Sequence, residues 1–129
     1  MAEHPTLNWR LASSFPKSLD TIYGAAEVFC NRVKELTEGK FNIRPFASGE
    51  IVPGPAVLDA VKDGTVEMGH TASYYFFGKD ATFAFDTAIP FGLTSRQQTA
   101  WMLHGNGMKL RRELFGECSA VTFLGGNTC

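Results

Sequence analysis

From Leu19 the chain repeats apolar residues at three- and four-residue steps, through Ile22, Ala26, Phe29, Val33 and Leu36, until Gly39 interrupts. That period predicts an amphipathic helix, with Ser18 as its cap and the carboxylate of Asp20 favourably placed in the first turn. Shorter stretches alternate instead. Trp9 and Leu11 within Leu7 to Ala12, then Phe41 and Ile43 ahead of Pro45-Phe46, predict two strands. Pro45 marks the end or edge of the second, because proline cannot donate to a ladder. Pro53-Gly54-Pro55 opens a short helix with Val57, Leu58 and Val61 on its buried face and Gly64 as its stop. Val66, Met68 and His70 alternate with Thr65, Glu67 and Gly69 as a third strand. Tyr74, Tyr75, Phe76, Phe77, Phe83, Phe85 and Phe91 then crowd one aromatic segment. Thr94 with Gln97 has the spacing of a capping box for a helix through Trp101 and Leu103 that Gly105 ends. A further helix lies around Met108 to Phe115, and Val121 to Leu124 reads as a fourth strand.

Strands alternating with helices force parallel pairing through right-handed crossovers, so the fold class is α/β, a parallel sheet with helices on both faces. At 129 residues the expectation is a single α/β domain over residues 1–129. In such sheets ligands sit beyond the carboxyl ends of the strands. Here those ends lead into Ser13 to Pro16, Ala47 to Glu50, Thr71 to Tyr75 and Gly125 to Thr128. These loops offer hydroxyls, aromatic faces, an amide and free backbone N–H groups, an outfit suited to a small anion. Lys17, at the rim, is their one cation.

Composition narrows the partners. A formal net charge of −1 with scattered Lys and Arg supplies no field for a phosphate-driven nucleic-acid binder. No apolar run approaches the roughly 18 to 20 residues a membrane span requires. Met1-Ala2 ahead of a polar stretch reads as a start placed on a trimmed chain from which an export signal is gone. Cys30, Cys118 and Cys129 are odd in number and lack C-x-x-C spacing, so neither a disulfide framework nor a zinc site is signalled.

Catalytic patterns are missing too. Gly105-Asn106-Gly107 has Leu110 at the third glycine position of a dinucleotide fingerprint and follows a helix, so a helix break accounts for it better. No G-x-S-x-G elbow or phosphate-cradling G-x-x-x-x-G-K-[ST] loop occurs. His4, His70 and His104 lie far apart, without metal-ligand spacing. His4 reads as solvated and His104 as closing a helix C-terminus, while His70, at the end of the third strand beside the ligand edge, has two readings, a packing histidine first and a ligand contact second. The neighbours Tyr74 and Tyr75 are expected on different sides of the chain, one lining the site and one in the core. Glu50 has two readings, a contact for a ligand hydroxyl or cation and a solvated turn residue.

The words at these loops resemble a family: Phe46-Ala47-Ser48-Gly49-Glu50-Ile51-Val52-Pro53, then Leu58-Asp59-Ala60-Val61-Lys62-Asp63-Gly64-Thr65-Val66-Glu67-Met68-Gly69. With Thr71-Ala72-Ser73-Tyr74-Tyr75, Ala88-Ile89-Pro90-Phe91-Gly92-Leu93 and Gly125-Gly126-Asn127-Thr128, they resemble the extracytoplasmic solute receptors of TRAP transporters, the DctP type, in the branch handling 2-oxo acids and related carboxylates. The resemblance implies the first lobe of a bilobed, type II-like periplasmic binding protein. The second lobe, which in the family supplies the arginine that holds the carboxylate, lies downstream of Cys129.

Residue by residue the resemblance implies ligand contacts from Phe15, Ser73, Tyr74 and Asn127, with Glu50 and Tyr75 as secondary candidates. It implies no catalytic residue, no cofactor and no resident metal. The implied partners are a small carboxylate and the membrane subunits of a TRAP transporter, the implied compartment the periplasm. Cys129 and Cys118 depart from the family's wording and, with the missing leader, give the expectation of a truncated or engineered fragment. The alternative is a stand-alone α/β domain, either self-associating or a small enzyme. An enzyme would need a nucleophile or paired acids at the loop edge, where only Ser13, Ser48 and Glu50 stand. Aromatic surface without a partner lobe predicts a homodimer, with Cys129 meeting its copy.

Overall fold

A computed structural model describes residues 5–123. The chain divides into two compact units, residues 1–71 and 72–129. The first unit carries a three-stranded parallel sheet: β1 (Leu7–Ser13), β2 (Phe41–Phe46) and β3 (Met68–His70), in the order β2-β1-β3. Helix α1 (Asp20–Leu36) connects β1 to β2. Helix α2 (Val57–Lys62), entered through a 3₁₀ turn at Gly54–Ala56, connects β2 to β3.

The two crossovers, β1 to β2 and then β2 back across β1 to β3, run in opposite directions along the sheet, so right-handedness requires their helices on opposite faces. Adjacent residues of the central strand show this, since successive side chains of a strand point to opposite faces. Leu11 packs with Ala26, Cys30 and Ile43 under α1, whereas Ala12 packs with Val57, Ala60 and Val66 under α2. Register runs from Leu7 opposite Phe41 to Ala12 opposite Phe46, and from Leu11 opposite Met68 to Ser13 opposite His70. Pro45 lies within β2, tolerated because β2 is an edge strand. Just ahead of β3, Glu67 accepts from the Arg10 amide at 2.7 Å and its guanidinium at 2.9 Å, contacts that hold its carboxyl down at about 2.

Four sequence expectations need correction. Helix α1 starts at Asp20 with Leu19 at the cap position and no side-chain cap bond, so Ser18 does not cap it. Its buried stripe is Tyr23, Ala26 and Cys30, while Phe29 is 46% and Leu36 77% exposed. Residue 29 sits about 100° around the helix from residue 30, off the line that meets the sheet. Small Ala26 and Cys30 let the helix approach Leu11 and Ile43. Strand β3 is also shorter than the alternation predicted, with Val66 buried beneath α2 rather than paired. Finally, residues 121–123 of the expected fourth strand are not in a strand, and Leu124 lies outside the described residues.

The second unit contains 3₁₀ turns at Ser73–Phe76 and Ala81–Ala84, then α3 (Ser95–His104) and α4 (Gly107–Glu117). The expected capping box is present: Thr94 accepts from the Gln97 amide and the Gln97 side chain accepts from the Thr94 amide. His104 closes α3 as expected. The unit's core is an edge-to-face ladder, Phe76 on Phe83 at 5.7 Å and Phe83 on Phe115 at 5.4 Å between ring centroids. Among the described residues no helix is long and apolar enough to cross a membrane. Cys30 is buried and Cys118 partly buried, both as free thiols, and burial raises the Cys30 thiol above its ordinary value.

Candidate ligand-binding site

With the order β2-β1-β3, the crossover leaving β1 runs toward β2 while β3 lies on the other side. The carboxyl ends of β1 and β3 therefore flank a switch point, the place where ligands settle in open α/β sheets. The residues meeting there are Ser13, Ser14 and Phe15 from β1 and its loop, with His70 and Thr71 from the end of β3.

Hydrogen bonds fix this edge. The Ser13 hydroxyl lies 3.0 Å from His70 Nδ1 and accepts from the Phe15 amide at 3.1 Å. The Ser14 amide donates to the His70 carbonyl at 2.9 Å, and the Ser14 hydroxyl donates to the Gly54 carbonyl at 2.8 Å, with Thr71 Oγ1 at 2.6 Å. The Phe15 ring, only 4% exposed, tilts against the His70 imidazole with centroids 5.3 Å apart. Burial pushes the imidazole below its ordinary value, because desolvation disfavours its charged form.

The second loop is tied to the first. The Ser48 amide donates to the Phe15 carbonyl at 3.1 Å. Glu50 accepts from the Ala47 amide at 2.7 Å and from Lys17 Nζ at 2.9 Å, and Lys17 foremost, then that amide, lowers its carboxyl. Phe15 and Glu50 thus share one edge of the first unit. Glu50 staples its own turn and neutralises Lys17 at the rim.

Ser73, Tyr74 and Tyr75 belong to the second unit. The Ser73 hydroxyl is buried and donates to Asp86 Oδ1. Asp86 also accepts from Thr87 at 3.2 Å, pairs through Oδ2 with Arg111 Nη1 at 3.3 Å, and lends its carbonyl to Gln98 at 2.6 Å. The tyrosine rings lie side by side, 5.0 Å apart at 34°, rather than on different sides. Alternation of sides belongs to extended chain, and residues 73–76 form a 3₁₀ turn. Burial first, then Tyr75, raises the Tyr74 phenol. Asn127 lies outside the described residues.

Sequence reasoning passed over Asp86 and the Ser13–His70 contact. Neither has a local pattern, because each pairs residues distant in the chain. A cleft of about 480 Å³ in the second unit, walled by Phe85, Ile89, Leu93 and Trp101, includes none of the candidate residues.

A parallel sheet covered on both faces, with a hydroxyl- and imidazole-lined edge at its switch point, defines an α/β lobe of the periplasmic-binding-protein class. The chain belongs to the DctP family, bacterial extracellular solute-binding proteins of family 7, which it matches over residues 12–127. It is similar to the monocarboxylate 2-oxoacid-binding periplasmic protein of Nostoc sp. strain PCC 7120, with 48% identity covering 96% of this chain and 34% of that protein. Among solved structures it is similar to a TRAP transporter solute-binding protein of Bordetella bronchiseptica RB50 with calcium and picolinate, at TM-score 0.86 and 48% identity over 92% of this chain and 35% of that one. Another, from Pseudoalteromonas atlantica T6c with bound sodium and pyruvate, gives TM-score 0.88 and 35% identity over 94% of this chain and 37% of that one. The chain thus spans about a third of the length of these relatives. The family consists of solute receptors, not enzymes.

Proposed function

We propose that this chain provides one wall of a carboxylate site in a TRAP-type receptor that collects a 2-oxo acid in the periplasm and passes it to a membrane transporter. The observation that carries the reading is the ordered polar edge of Ser13, Phe15 and His70 at the β1/β3 switch point, in a chain 48% identical to a 2-oxoacid-binding relative. Phe15, Tyr74, Tyr75 and Asn127 are the contacts, with Ser73 and Glu50 holding their loops. Among the described residues no three His, Cys, Asp or Glu side chains come together as a cation cage. Recognition by this wall rests on hydrogen-bond donors and ring faces.

The wall alone binds weakly, because a carboxylate held on one side keeps much of its water and lacks a bidentate charged partner. Nuclear magnetic resonance titration of the 129-residue chain with pyruvate is expected to show millimolar binding. Submicromolar affinity, or response to a dicarboxylate such as succinate with none to pyruvate, would overturn the reading.

A homodimer accompanies it. Phe77, Phe85, Phe91 and Leu93 are exposed in the second unit, and the Bordetella relative is described as a dimer. Light scattering on a concentration series should give twice the chain mass. A strict monomer at high concentration refutes the pairing.

A further inference from the structure

Ser13 is 1% exposed, so its hydroxyl proton has to find a buried acceptor. The Phe15 amide is a donor, which leaves His70 Nδ1 as the acceptor that the described residues offer. The imidazole proton therefore resides on Nε2, and no described residue takes a hydrogen bond from it. Phe15 packs against the ring and prevents it from turning freely. The result is one uncharged N–H donor, held in a fixed tautomer at the carboxyl end of β3 and unused by the fold.

We propose that His70 is a specificity-determining residue of the carboxylate site, donating from Nε2–H to an acceptor oxygen of the bound 2-oxo acid while Ser13 holds the tautomer. This rests on the receptor reading above. A fixed donor favours ligands that present an oxygen lone pair there and disfavours an ammonium group, which has only protons to offer. It explains why an imidazole, rather than an apolar side chain, ends β3 beside Ser13, in a sheet whose remaining buried positions, Leu11, Ala12 and Ile43, are hydrocarbon.

The test uses pyruvate and the 129-residue chain labelled with ¹⁵N. Long-range ¹H–¹⁵N correlation of the imidazole is expected to show a protonated Nε2 and a bare Nδ1 at neutral pH. Pyruvate should shift the Nε2 resonance together with the amides of Phe15 and Tyr74. His70→Asn keeps an acceptor for Ser13 but has no atom at the Nε2 position, and should weaken pyruvate binding about tenfold, the worth of one hydrogen bond to a charged ligand. His70→Gln restores a donor at that position and should recover most of the affinity. Should neither variant fold, the wild-type resonances still decide. A proton on Nδ1, or Phe15 and Tyr74 amides that move while Nε2 does not, overturns this inference and leaves the receptor reading standing. No shift anywhere at millimolar pyruvate ends both.

Discussion

Gly54→Ala should destabilise the first unit by about 2 to 3 kcal/mol, near the upper end of what overpacking costs. A Cβ at that position would stand 2.8 Å from the Ser14 carbonyl oxygen and 3.3 Å from Ser48 Oγ. The first obstacle is backbone, so relief requires the Gly54–Ala56 turn to back away from the β1 loop. That movement also breaks the bond from the Ser14 hydroxyl to the Gly54 carbonyl. The control is Gly24→Ala in α1, where a Cβ meets nothing within 4 Å and better helix propensity should add about 0.5 to 1 kcal/mol. Urea unfolding of both variants at constant m value gives the comparison. Equal stability of Gly54→Ala and the parent chain would mean that the turn is not seated against Ser14.

Asp86→Ala should cost about 3 kcal/mol, the lower range for breaking a buried pair, since the side chains of Arg111 and Asp86 retain 17% and 11% exposure. The carboxylate serves Ser73, Thr87 and Arg111 at once, and its loss strands a guanidinium over the Phe115 ring. Arg111 Nε is already buried without a partner among the described residues, so that cation has no reserve of hydrogen bonds. Arg111→Met in the Asp86→Ala background should recover part of the loss, because it removes the stranded charge and keeps the packing. Denaturant midpoints of the two singles and the double measure this coupling. Additive costs would show that the pair contributes nothing as a pair.

How much of this was legible beforehand follows from the range over which each feature is encoded. The capping box at Thr94 and Gln97, the stop at Gly105, the proline-led start of α2 and edge strand β2 with Pro45 are local chemistry, and they stand as read. The face of α1 is different. Val28, Phe29 and Leu36 continue the apolar pattern around the helix, and only the sheet chooses the line through Tyr23, Ala26 and Cys30. Val66 alternates like a strand residue, yet α2 claims it before the ladder begins. At the candidate site, loop positions followed from strand order, which placed Phe15 and Glu50 on one edge. The commitments of Ser73 to Asp86 and of Ser13 to His70 did not, since they join residues 13 and 57 positions apart. The tyrosine pair was misjudged because strand alternation was applied to a 3₁₀ turn.

Strand β3 is three residues long and meets β1 from far along the chain. Arg10 with Glu67, Ser13 with His70 and Ser14 with Thr71 all share a separation of 57 residues. The β1-α1-β2 portion closes over a shorter loop and gains a six-residue register before that distant segment contributes anything. Folding of the sheet is therefore expected to end with the docking of β3, and hydrogen exchange is expected to show the least protection there. The imidazole at the end of β3 would then come into place at the last step of assembly, so a partly folded chain that already has α1 packed on its sheet would still lack the edge proposed for recognition.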